Sequence, residues 1–199
     1  MKTFIMCAGK SSRWPRPHPK HLETILGEPN YKRTIRLLND NGISDVIVSV
    51  SNNNEHFFDY SNKIIGSDKR EIDRFRNLRN YFDYKTLMLY GDVVYHENDM
   101  KTILNNLKEE INFFGRFKEM WFTEIFGVYV SNKDKFFDAV DNTALKFENK
   151  LIDREIGLDV FDELGLIEED LIFLSEDTND YDITDEYFKI KERYEVNGK

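Results

Sequence analysis

The chemistry-bearing residues gather at the start of the chain. A short apolar run ends in Ala8, and Gly9, Lys10, Ser11, Ser12 and Arg13 follow as a small, polar, basic loop. Pro15, Pro17 and Pro19 then alternate, and Lys20 comes seven residues after Arg13. Such a loop suits a polyphosphate. Gly9 lets the main chain approach closely, neighbouring N–H groups turn inward, and Arg13 and Lys20 bring charge-assisted donors. The alternating prolines hold their segment near polyproline geometry, so that a stiff arm delivers Lys20. The first 22 residues contain five Lys or Arg and no Asp or Glu, in a chain whose formal net charge is -9. The plainer alternative is a Gly/Ser turn after a first strand. A second chemical anchor is Asp92, which follows Gly91 at the end of an apolar run. An acid just beyond the carboxyl end of a buried strand lies in the crevice where open α/β sheets bind ligands, and there it is read as a Mg²⁺ ligand. Gly-Asp is also a common turn pair, which leaves a turn-capping role open.

The elements that must position these residues follow from periodicity. Pro29 and an apolar face of Ile35, Leu37 and Leu38 predict a helix over 28–41, stopped by Asn41-Gly42. A β-branched run over 45–50 predicts a buried strand, and a brief strand is expected at 64–65. A polar connection or short helix spans 52–60, a charged helix 68–82 and a strand 86–90. Further on come a helix over 97–110, strands over 111–114 and 122–130 with a charged loop 115–120 between them, and a helix over 133–140. A helix over 155–164, a strand over 171–174 and a closing amphipathic helix with Thr184 as its N-cap complete the series. Alternation of β and α at this spacing means βαβ units and a parallel sheet.

Composition narrows the function classes. A chain of 199 residues with 40% apolar content is expected to fold as one domain with a sizeable core. An acidic chain is a poor general binder of nucleic acid, because that binding is dominated by phosphate neutralisation. Cys7 is the only cysteine, which excludes a disulfide framework and a zinc cluster. The start of the chain has too few apolar residues for a signal segment, and no run approaches a membrane span, so the cytoplasm is the expected location. Oligomeric state is not written in the sequence; a homodimer is the commonest default.

The segments CAGKSSR (from Cys7), PKHL (from Pro19), GEP (from Gly27), GISDVIV (from Gly42) and LYGDVVY (from Leu89) together resemble the nucleotidyltransferases that activate sugar phosphates and alcohol phosphates. The distance from Arg13 to the Pro-Lys pair is similar to that in the methylerythritol-phosphate cytidylyltransferases. Ser11 stands where many members have a second glycine, as in the relatives of the molybdenum-cofactor nucleotidyltransferases. The resemblance covers residues 1 to 95, thins, and returns in the last 25 residues. It implies a single-domain, Rossmann-like three-layer α/β/α sandwich of the nucleotide-diphospho-sugar transferase type, with a mostly parallel central sheet. Residues 1–95 would form the nucleotide-binding half and 96–199 the acceptor-binding half.

By the same resemblance, Ala8, Gly9, Lys10, Ser11, Ser12, Arg13 and Gly91 bind an NTP, and Asp92 is the metal-binding aspartate. Residues 176–186 hold six acids and no base, and are either a solvated face or a match to the closing DTPEDY pattern. In that match Asp182 is the leading aspartate and second Mg²⁺ ligand, Tyr187 the aromatic, and Thr184 replaces proline. Asp180 is the reserve choice for the ligand. The expected reaction is transfer of NMP to a phosphorylated acceptor, with Arg13 on the leaving pyrophosphate and Lys20 on the α-phosphate. Arg116, Trp121 and Glu124 flank the expected acceptor side. Lys146, Lys150 and Arg154 are further cations, read more simply as surface charges. CTP is the preferred donor, from the loop spacing alone. Two rivals remain: a glycosyltransferase using Asp180-Tyr181-Asp182 as its metal site, and a non-catalytic nucleotide-binding protein. With no long repeat-rich extension, an acetyltransferase activity is not expected.

Overall fold

The computed structural model describes residues 1–118 and 122–197. Trp121, expected at the acceptor side, and residues 119–120 of the expected charged loop lie outside the described residues. In chain order the elements are β1 (Lys2–Met6), the hairpin β2 (Thr24–Ile25) and β3 (Glu28–Pro29), α1 (Asn30–Asp40), β4 (Val46–Val50), β5 (Lys63–Ile65) and α2 (Glu71–Leu78). Then follow β6 (Thr86–Tyr90), β7 (Val93–Val94), α3 (Glu97–Asn105), β8 (Ile111–Lys118), β9 (Phe122–Val130), α4 (Lys133–Glu148), α5 (Gly157–Glu163), β10 (Leu171–Phe173), β11 (Asn179–Asp180) and α6 (Thr184–Asn197).

Seven strands form one sheet in the order β10-β8-β9-β6-β1-β4-β5. Every pairing is parallel except the two made by β9, which runs antiparallel to β6 and β8. Side chains alternate across β1 with the period of two that a strand imposes. Ile5 and Cys7 join Leu37, Leu38, Met100 and Ile103 on one face, while Phe4 and Met6 join Ile72, Phe75, Phe136 and Val140 on the other. Helices thus cover both faces, which is why Phe4–Met6 and Val46–Val48 read as continuous apolar runs. Each fully buried side chain of this size contributes roughly 1.5–3 kcal/mol.

Several boundaries depart from the periodicity reading. The first helix starts at Asn30, not 28, because Glu28 and Pro29 pair with Ile25 and Thr24 in a hairpin. The helix expected over 68–82 runs only from Glu71 to Leu78 before tightening into a 3₁₀ turn. The third helix ends at Asn105 rather than 110. The fourth extends to Glu148, well past 140, since Thr143 and Ala144 carry its buried face another turn. The charged loop expected at 115–120 is wrong for residues 115–118, where β8 continues. Its charges are satisfied across the ladder: Arg116 stands opposite Glu124. Gly115 marks a register shift after Phe114, and a Cβ there would lie 1.9 Å from the Glu124 carbonyl oxygen. Only glycine permits that approach.

A third apolar cluster decides the geometry of the site. Trp14, from the first loop, packs with Ile25, Val94, Tyr181, Tyr187, Ile190 and Tyr194. The start of the chain is thereby fastened to its last helix.

Candidate active site

Three loops leave the carboxyl edge of the sheet side by side. Met6 and Tyr90 are register partners at the ends of β1 and β6, so the segment after each emerges at the same edge. Gly91 donates its N–H to the Met6 carbonyl at 3.0 Å, and its own carbonyl accepts from Asn30 Nδ2 at 3.1 Å. A Cβ on Gly91 would fall 2.4 Å from Cys7 Sγ, so the two loops touch only because this residue is glycine. The third loop is the return from β11, which pairs antiparallel with β7 and sets Asp182 beside the other two.

Lys20 is where the loops converge. Its ammonium lies 2.7 Å from Asp92 Oδ2, 2.6 Å from Asp182 Oδ1 and 3.1 Å from the Tyr181 carbonyl oxygen. Tyr181 returns the contact by donating its hydroxyl to the Lys20 carbonyl at 2.7 Å. Lys20 is only 6% exposed. Burial alone would lower the ammonium pKa, but Asp92 and Asp182 outweigh it and raise it. Asp92 mirrors this: burial pushes its carboxyl up, and Lys20 and His21 bring it below the usual carboxylate range. Arg13 makes an ion pair with the second Asp182 oxygen.

The arm that carries Lys20 is held along its length. Pro19 has polyproline dihedrals (φ -58°, ψ 141°), and Lys20 opens a single 3₁₀ turn. Glu23, almost fully buried, accepts from Arg16 at 2.8 Å and meets His18 Nε2 at 2.7 Å. Arg16 also lies over the rings of Trp14, Tyr187 and Phe188 at 5.6–5.7 Å. Ser11, in the loop itself, has a left-handed backbone (φ 49°), which glycine adopts without strain.

A cavity of about 650 Å³ opens in front of these groups. Of the residues expected from sequence, it is lined by Gly9, Lys10, Ser11, Ser12, Arg13, Lys20, Asp92, Asp182 and Glu124, and also by Asp180. Ala8 and Gly91, also expected to bind the nucleotide, are buried and do not line it. Arg116 is set back from the cavity, bonded to Glu124 at 2.8 Å and to Asn179 Oδ1 at 2.6 Å, so it braces the segment that brings Asp182 in. Lys146 and Arg154 pair with Glu163 and Asp159 on the surface. Periodicity gave no reason to single out Glu71, Arg74, Tyr90 or Gly157, which complete the wall. Glu71 Oε1 accepts from Tyr90 Oη at 2.5 Å and from the Gly157 N–H at 2.8 Å, joining α2 to the start of α5. Burial pushes the Glu71 carboxyl up despite these partners. Its only sequence signal was a charged residue at a helix start, which is ordinary.

Set beside known proteins, the chain over 151 residues (71% of its length) is 33% identical to a bifunctional sugar-1-phosphate nucleotidylyltransferase/acetyltransferase of Sulfurisphaera tokodaii, and spans about a third (34%) of that relative. The structure superposes with a TM-score of 0.67 on a 4-diphosphocytidyl-2C-methyl-D-erythritol synthase from Anaerococcus prevotii, covering 98% of this chain and 97% of that one at 12% identity. A CTP:phosphocholine cytidylyltransferase from Streptococcus pneumoniae matches with a TM-score of 0.62, 96% and 98% coverage and 15% identity. The fold is that of the nucleotidyltransferases. No family model matches the chain. The mostly parallel central sheet expected from sequence is present, and it has seven strands.

Among the described residues no three or more His, Cys, Asp or Glu groups cluster as a ready-made metal site. The donor set is instead two carboxylates that already converge on one ammonium. That set fits Mg²⁺, which takes one or two carboxylates and completes its shell with waters and substrate phosphate oxygens.

Proposed function

We propose that this chain transfers a nucleoside monophosphate from an NTP, CTP first among the candidates, to a phosphorylated sugar or alcohol. The convergence of Lys20, Asp92 and Asp182 at the mouth of the 9–13 loop carries this reading. The names of the relatives, all nucleotidyl- or cytidylyltransferases or synthases of nucleotide-linked alcohols, point the same way. Residues 1–95 bind the nucleotide and 96–199 supply the acceptor side, with the cavity between them.

An oxygen of the acceptor phosphate attacks the α-phosphorus in line. The bond from that phosphorus to the bridging oxygen breaks, and pyrophosphate leaves with the electron pair. The attacking phosphate is already ionised, so no side-chain nucleophile or base is required; positioning and charge neutralisation do the work. Lys20 sits on the α-phosphate and Arg13 on the departing pyrophosphate. Asp92 and Asp182 would hold Mg²⁺, which when bound would supply further charge neutralisation. Asp182 is preferred over Asp180 because it is the one Lys20 grips.

The test is thermal-shift binding with CTP, UTP, GTP, ATP and dTTP, each with and without Mg²⁺, followed by a pyrophosphate-release screen of sugar and alcohol phosphates. A magnesium-dependent rise in melting temperature with one NTP is expected. A rise with sugar nucleotides and none with any NTP overturns the reading in favour of glycosyl transfer.

A further inference from the structure

Asp92 lies in the short turn between β6 and β7, and one side-chain amide holds that turn on both sides of the acid. Asn30, the first residue of α1, is fully buried. Its Nδ2 donates to the Gly91 carbonyl at 3.1 Å and to the Val93 carbonyl at 3.0 Å, the residues that flank Asp92. An amide side chain has two N–H donors at one end, and here both go to a single turn. Two carbonyl oxygens facing the same end also decide which end is nitrogen.

The main chain of the same residue serves Lys20. Asn30 donates its N–H to the Glu23 carbonyl at 2.8 Å, and Glu23 donates its own to the Lys20 carbonyl at 3.0 Å. Two hydrogen-bonded steps thus run from Lys20 to Asn30, and one more runs from Asn30 to either side of Asp92. At the far ends of these connections the ammonium and the carboxylate stand 2.7 Å apart.

A helix start gives asparagine a different task as a rule: its side-chain oxygen accepts from a backbone N–H of the first turn. No side-chain cap is made at the start of α1. Instead, Asn30 Oδ1 is buried with no hydrogen-bond partner among the described residues. A buried orphan acceptor is destabilising, and an apolar side chain of similar size would not carry one. Core packing therefore gives no reason for an amide at this position. The turn at Asp92 does.

Resting on the nucleotidyl-transfer reading above, we infer that Asn30 is a positioning residue for the Lys20–Asp92 pair: it ties the turn that carries the lysine to the turn that carries the carboxylate. It touches neither reactant, and acts by fixing the spacing between two groups that do.

A double-mutant cycle tests this, with Asn30→Leu, which fills similar space without a donor, made alone and together with Lys20→Ala. Two quantities are read: pyrophosphate release with the substrates found by the screen above, and the denaturant midpoint of each free protein. In the wild-type background Asn30→Leu is expected to lower kcat by about tenfold or more, with KM for the NTP held within about twofold. In the Lys20→Ala background the same change is expected to cost less than about threefold, since the spacing it protects is already lost. Lys20→Ala is likewise expected to move the midpoint of Asn30→Leu by no more than about half of what it does in wild type. A lower midpoint with unchanged kcat would make Asn30 ordinary packing and overturn the inference, as would losses that simply add in either measure. Wild type that releases no pyrophosphate with any NTP and acceptor overturns the reading beneath. The midpoints then decide the tie alone: coupled values uphold it and additive ones overturn it. Should Asn30→Leu fail to fold, Asn30→Ala takes its place in the cycle.

Discussion

Lys20 is a buried cation whose two carboxylate partners remain about a quarter exposed, at 25% and 29%. Replacing it with alanine leaves Asp92 and Asp182 facing one another. Loss of ~10² or more in turnover is expected, measured as pyrophosphate release. The free protein should lose about 2 kcal/mol, less than for a fully buried triad because water reaches both acids. Mg²⁺ alone should then raise the melting temperature of Lys20→Ala more than that of wild type, since the bare carboxylates gain a counterion. Equal responses would show that the acids do not share one cation site. His21, the next residue, is buried with Nδ1 unpaired. Burial first, then Lys20 and Arg74, bring its pKa from 6.5 down to about 4, against an opposing pull from Asp92. Because the folded value is the lower one, the unfolded chain binds the extra proton between those pH values. Stability therefore falls as pH drops from 6.5 towards 4, by up to about 3 kcal/mol. Denaturant melts at pH 5 and 6.5 should show a slope that disappears in His21→Gln.

At the scale of elements, the decisive contact is between the first loop and α6. Trp14 is 7% exposed and meets Tyr181 and Tyr187 edge-on at 5.7 and 6.1 Å. Trp14→Ala should cost roughly 3–5 kcal/mol and loosen Asp182 from Lys20, so nucleotide-induced stabilisation should shrink further than the stability loss alone explains. Denaturant melts with and without nucleotide separate the two effects. The sequence carried the strands of this arrangement well: β6 and β9 have the limits that apolar runs predicted. It misjudged β8, because Arg116 and its neighbours look like a loop until Glu124 is seen opposite. The cavity wall was equally opaque. Glu71, Tyr90 and Gly157 lie 19 and 86 residues apart along the chain, and no local pattern announces a contact made by folding.

Across the whole molecule, the two large cores share one sheet, with Phe4 and Ile5 on opposite faces of the same strand. Neither core can open without exposing the other, so a single cooperative transition is expected in denaturant, coincident by fluorescence and circular dichroism. No helix among the described residues is long and apolar enough to cross a membrane. The sandwich itself was readable because β/α alternation and the order of short motifs both survive in one dimension. A role for Asp182 was expected only by resemblance, because the acidic tract around it looks by itself like a solvated face, and its partnership with Lys20 was not expected at all.

That partnership spans 162 residues. A ribosome makes the first loop and Lys20 within its first seconds of work on this chain, and at ~5–20 residues per second needs on the order of 10–30 s more to reach the second carboxylate. Over the last 90 residues of that interval, from Asp92 to Asp182, the nascent chain has the lysine and one acid but lacks the second carboxylate. Until Asp182 is made, Lys20 stands without the partner that closes this corner of the folded chain.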